Sequence, residues 1–144
     1  MKMKIKTRDF GEIEIDESTI INVPEGIIGF ESVKRYTLIY PLGENTFPMW
    51  LQSVESVEPC FVVYNPTQIY SDYRFEISDD EQELLKLDES TPYTCLAVAI
   101  VPDDYKQTTI NLRCPIVLNL KDNIAAQVML EDYDFKYPVY SKED

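Results

Sequence analysis

The sequence predicts a mainly β protein, a small antiparallel β-barrel-like single domain over residues 1–144 with one short helix at about 79–87. Three observations predict it. Apolar runs of five to nine residues, rich in β-branched and aromatic side chains, recur at 19–23, 36–40, 49–54, 60–64, 93–101, 108–112, 115–120 and 124–130. Pro, Gly, Asn or Asp bound these runs, as at strand ends. Recurrent breaks of this kind suit a closed or sandwiched antiparallel sheet. Only one segment starts like a helix, and no linker, repeat or low-complexity tract divides the chain. A domain of this size buries roughly 68–70% of its unfolded surface, enough for a core without staples.

The first element is a hairpin. Residues 2–8 alternate basic with less polar side chains (KMKIKTR), residues 12–16 alternate acidic with apolar (EIEID), and Asp9-Phe10-Gly11 interrupts them. Pairing these strands puts lysines opposite carboxylates on one face and apolar side chains on the other. The next strand, TIINV, ends at Pro24, which has no N–H to donate. Gly26 and Gly29 bracket Ile27-Ile28 and predict tight bends, with Phe30 anchoring in the core and a helical turn from Glu31 to Arg35. Trp50 is expected in the core, Asn65-Pro66 and Asn111 in turns, Asn119 at a strand end, and Lys121-Asp122-Asn123 as a short hairpin connection. The helix is announced by Ser78 with Glu81 three residues later, a capping box, and by carboxylates in the first turn, where they suit the helix dipole. Leu84, Leu85 and Leu87 supply its buried side.

Composition removes several functions. The chain has no histidine, which excludes His-based metal sites and Ser-His or Cys-His nucleophile pairs. Cys60, Cys95 and Cys114 are widely spaced in apolar runs and read as buried free thiols. No enzyme activity, metal or cofactor is expected. The net charge is −13, and residues 72–90 supply eight acidic and two basic groups, a net −6. Such a surface repels nucleic acid and anionic membrane and favours basic partners. No run reaches the ~18 apolar residues of a membrane helix, and the basic N-terminal stretch has no apolar run behind it, so a cytoplasmic location is expected.

The motifs VPEGIIGFESVKRYTL (23–38), WLQSVES (50–56), FVVYNP (61–66) and NLRCPIVLN (111–119) occur in an order that resembles the flagellar assembly factor FliW family. The resemblance covers about Phe10 to Leu130. Cys114 stands where a smaller residue such as Ala is expected, and the tail beyond Leu130 matches no motif. The resemblance implies a small antiparallel barrel-like domain with a minor helix and no enzymatic activity. It implies two alternative protein partners, flagellin and the RNA-binding translational regulator CsrA, whose repression of flagellin translation the free factor antagonises. A monomer is expected when neither is bound.

Two segments are candidates for partner binding. Residues 70–83 place Asp72, Glu76, Asp79, Asp80, Glu81 and Glu83 beside Tyr70, Tyr73 and Phe75, aromatic anchors in a charged surround. A solvated helix start over core aromatics has the same composition. In the tail, Tyr133, Phe135 and Tyr137 alternate with polar residues, which fits either an apolar surface for an amphipathic helix or a final edge strand laid on the body. The alternative class is a small-molecule-binding β-barrel. It needs an anion-recognition cluster, and Lys34, Arg35 and Arg113 are scattered in sequence.

Overall fold

The structure, a computed structural model, describes residues 1–44 and 46–140. β1 (Lys2–Lys6) and β2 (Glu12–Asp16) form a separate antiparallel hairpin whose register sets Lys2 opposite Asp16, Lys4 opposite Glu14 and Lys6 opposite Glu12. This is the sign pattern expected from the sequence. On the other face Ile5 and Ile15 are buried against Val54. The Gln52 side chain, fully buried, accepts from the Arg8 N–H at 3.1 Å and donates to the Val57 carbonyl at 2.8 Å, tying the hairpin turn to the body.

The body comprises β3 (Ile21–Asn22), β4 (Arg35–Ile39), β5 (Met49–Ser53), β6 (Cys60–Tyr64), β7 (Tyr93–Ile100), β8 (Thr109–Ile110), β9 (Ile116–Asn119), β10 (Ile124–Gln127) and β11 (Tyr137–Pro138). Seven of these close a ring in the order β7-β6-β5-β4-β3-β10-β9 and back to β7. Every pairing in the ring is antiparallel except the closing contact of β3 with β10, where Asn22 lies beside Ile124. β8 and β9 lie along the same edge of β7, at Ala99–Ile100 and Tyr93–Leu96. Residues 111–115 loop out between them, and the Asn111 side chain accepts from the N–H groups of Arg113 (2.9 Å) and Cys114 (3.0 Å), the turn role expected of it. Inward-facing Tyr36, Leu51, Val63, Leu96, Ile116 and Leu118 fill the ring. The alternation of strand side chains puts one residue in two on this inner face.

Two short helices are present. α1 (Pro66–Ile69) begins at Asn65, whose side chain accepts from the Thr67 N–H at 3.0 Å. α2 (Asp79–Leu84) has the expected capping box: Ser78 Oγ accepts from the Glu81 N–H at 3.2 Å, and Glu81 Oε1 accepts from the Ser78 N–H at 3.0 Å. It ends earlier than the predicted residue 87 because Lys86 takes a left-handed φ of +57° while Leu85 is buried against Val117 and Val128. Asn119 holds that end, donating to the Leu85 carbonyl at 2.8 Å and accepting from the Lys121 N–H at 2.8 Å. Residues 120–123 connect β9 and β10 as a hairpin, as expected.

Three local expectations are corrected. Residues 31–32 form a turn and β4 starts at Arg35, so there is no helical turn from 31 to 35. Phe30 is 42% exposed, and Ile27 occupies the core place expected of it. Trp50 is only half-buried, packed edge-on to Phe10 with centroids 5.2 Å apart. Cys60 and Cys114 are buried, Cys95 is half-buried, and all three are free thiols.

Candidate protein interface

The site starts from the glycine-bracketed pair. Gly26 has φ +71°, and a Cβ there would lie 2.5 Å from Glu31 Cα, so only glycine fits this bend. Gly29 has φ +90°. Between them, the Phe30 N–H donates to the Ile27 carbonyl at 2.7 Å, closing a tight loop that turns Ile27 inward and Ile28 outward. The Ile28 N–H donates to Gln127 Oε1 at 2.8 Å, and Gln127 Nε2 donates to the Cys114 carbonyl at 3.1 Å, which docks the loop on β10. Ile28 is 53% exposed, Met129 68% and Phe135 55%.

With Phe61, Val98 and Gln127 these three side chains line an apolar groove of about 300 Å³. Phe30 stands beside it, edge-on to Phe61 with centroids 5.5 Å apart. The Arg113 guanidinium sits over the Phe135 ring at 4.8 Å from its centroid, and its Nε donates to the Leu130 carbonyl at 3.1 Å. The Glu31 carboxylate accepts from the Gly29 N–H at 3.1 Å, and this bond with its backbone neighbours holds its pKa below the ordinary value. Apolar side chains gathered in a groove with a charged rim are the form of a protein-docking surface.

The two segments singled out in the sequence meet in space. Tyr70 stacks on Tyr137 (centroids 5.3 Å apart), and Tyr73 meets Tyr133 edge-on at 4.6 Å and Phe75 at 5.5 Å. Tyr73 is 5% exposed and its hydroxyl donates to the Leu112 carbonyl, so its ring is core and offers no contact surface. Burial pushes the pKa of that phenol well above its ordinary value. Tyr70, Phe75, Tyr133 and Tyr137 are half-buried around it. The single aromatic edge expected of Tyr133, Phe135 and Tyr137 is therefore split. Only Tyr137–Pro138 pairs as strand, with β8, and the bent chain before it turns Phe135 to the groove and Tyr133 to the cluster.

Asp72, Glu76, Asp79, Asp80 and Glu83 are exposed, and no ion pair reaches them among the described residues. Glu81 is half-buried and committed to the capping box. Sequence reasoning missed Ile28 and Met129. The flanking glycines were a signal for the first, since a doubly pinned loop can present a side chain; nothing local marks the second.

Comparison with known proteins decides the family. The model of the FliW protein family matches residues 4–140. The flagellar assembly factor FliW of Carboxydothermus hydrogenoformans is 39% identical over 131 residues, covering 90% of this chain and 84% of the relative. The chain belongs to the FliW family. FliW of Natranaerobius thermophilus is likewise 39% identical, over 145 residues covering 98% of this chain and 95% of the relative. A solved crystal structure of the flagellar assembly factor FliW superimposes with a TM-score of 0.90 at 29% identity, covering 99% of this chain and all of that one. The FliW match runs to residue 140, so residues 131–140, which carry no recognisable motif, belong to the family's domain. FliW proteins are named as assembly factors, not enzymes, and no helix among the described residues is long and apolar enough to cross a membrane.

Proposed function

We propose that this FliW protein acts in the cytoplasm by binding flagellin and, alternatively, a CsrA-type RNA-binding regulator, so that the free factor relieves repression of flagellin translation. The observation that carries the reading is the groove of Ile28, Met129 and Phe135, exposed apolar side chains of the kind against which an amphipathic helix can lay its apolar face. The acidic strip around Asp72, Glu76, Asp79, Asp80 and Glu83 supports the second partner, because a regulator that holds RNA is basic and complementary charge speeds encounter. The small-molecule alternative has less support, since the ring is filled by its own side chains.

Titration calorimetry with purified flagellin tests the first half. Ile28→Asp with Phe135→Asp is expected to weaken binding at least tenfold, the range of central interface anchors, where losses of ~2 kcal/mol or more are found. Undiminished affinity in a folded double variant overturns the groove assignment. For the regulator, Asp79→Lys, Asp80→Lys and Glu83→Lys together should slow association and flatten its salt dependence. Unchanged on-rates at low salt remove the acidic strip from the reading.

A further inference from the structure

β7 pairs on one side at Tyr93–Leu96 and again at Ala99–Ile100 but on the other only at Ala97 and Val98, which meet Tyr64 and Val63 of β6. In its first half, Thr94 and Leu96 face Leu118 and Ile116 of β9, and the Leu120 N–H donates to the Pro92 carbonyl at 3.0 Å. Strand hydrogen bonds alternate sides, so the N–H and C=O groups of Tyr93 and Cys95 point away from β9. Among the described residues they have no hydrogen-bond partner. They open onto a slot of about 570 Å³ whose other wall is Tyr73, Arg74 and Phe75 and whose end is Asn65 and Thr67.

That wall does not close on the strand. The Arg74 N–H donates to Tyr133 Oη at 3.0 Å and Tyr133 Oη donates to the Arg74 carbonyl at 2.6 Å, so this residue's backbone is already occupied. The Phe75 backbone groups have no protein partner among the described residues. A sheet edge facing a held-open slot is the geometry in which an extended peptide adds a strand. The residues beside the slot set the charge of the occupant. The lining itself carries one cation, Arg74, while Asp72 and Glu76 flank that wall in sequence and Asp88 and Glu89 precede the other, four carboxylates against one cation.

We propose that the Tyr93–Cys95 edge of β7 binds an extended cationic peptide segment by strand addition. It is a site separate from the Ile28 groove and requires neither flagellin nor the regulator. At about 3.3 Å per residue, the unpaired positions Tyr93 and Cys95 lie about 7 Å apart, the spacing at which alternate residues of an extended segment present their N–H and C=O groups.

The test uses the full chain and a synthetic ten-residue peptide alternating valine and lysine, followed by amide hydrogen exchange. Adding the peptide should slow exchange of the Tyr93 and Cys95 amides at least tenfold while Thr94 and Leu96, already paired, change little. The same peptide N-methylated at alternate amides should lose binding at least tenfold, a control that leaves the protein untouched. An alternating valine–glutamate peptide should not bind. No binding at millimolar peptide, binding without protection of Tyr93 and Cys95, or equal binding of the N-methylated peptide would each overturn the proposal. So would concentration-dependent protection of those amides without peptide, which would assign the edge to a second copy of the chain.

Discussion

The Tyr133 hydroxyl bridges the backbone of Arg74, accepting from its N–H at 3.0 Å and donating to its carbonyl at 2.6 Å. One phenol thereby fastens the tail to the strip that precedes α2. Tyr133→Phe keeps the ring, 4.6 Å from Tyr73, and removes both bonds. Each such bond is worth about 1 kcal/mol net, so a loss of about 1–2 kcal/mol is expected. The urea midpoint should fall with the slope unchanged. An unshifted midpoint would show that the bridge contributes nothing.

The two glycines of the Ile28 loop should respond differently to alanine. Gly26→Ala adds a left-handed φ penalty of about 1–2 kcal/mol and drives Cβ to 2.5 Å from Glu31 Cα, a backbone atom that cannot step aside. Gly29→Ala meets nothing within 4 Å and carries only the φ strain. Chemical denaturation should rank Gly26→Ala as the more destabilised; the reverse order would refute the steric account.

Tyr36 has a fully buried hydroxyl without a hydrogen-bond partner among the described residues. Tyr36→Phe removes that orphan and should leave stability unchanged or raise it by up to about 1–2 kcal/mol. Burial pushes the Tyr36 phenol up to about 12, and that of Tyr64 likewise to about 12. The unfolded chain then loses its phenolic protons first, at ordinary values near 10. The stabilisation is complete below about pH 10 and is lost as pH rises through about 12. Alkaline unfolding followed by tyrosine absorbance should begin later in Tyr36→Phe than in the parent.

A chain ending at Leu130 should be destabilised as well as altered in binding. The segment beyond it covers Leu112, Ile110 and Tyr73, and the Leu112 N–H donates to the Asp134 carbonyl at 3.0 Å. Burying a large apolar side chain is worth about 1.5–3 kcal/mol, so uncovering even two costs about 3 kcal/mol or more. Thermal unfolding by circular dichroism checks this. A point change at exposed Phe135 is therefore the cleaner probe of binding than removal of 131–144, whose last four positions lie outside the described residues.

Local rules made part of this molecule legible and topology hid the rest. The β1–β2 register follows from charge alternation, and the α2 start from Ser78 and Glu81, because each is decided within a few residues. Trp50 and Phe30 were misplaced for separate reasons: the strand alternation that buries Met49 and Leu51 turns Trp50 outward, and the loop that turns Ile27 inward leaves Phe30 exposed. Tyr73 looked like an anchor beside carboxylates, yet its partners Leu112 and Tyr133 lie 39 and 60 positions away, beyond any local pattern. The groove joins residue 28 to residues 129 and 135 by way of Gln127, a proximity only the closed ring creates.

That closure has a consequence for the chain during its synthesis. The seam between Asn22 and Ile124 joins segments that emerge a hundred positions apart, and the docking groove takes one wall from each side of it. An unfinished copy, lacking Met129 and Phe135, has only part of the groove's lining. If the groove is the proposed docking site, a copy still on the ribosome takes no share of the partner until its last strands have been delivered.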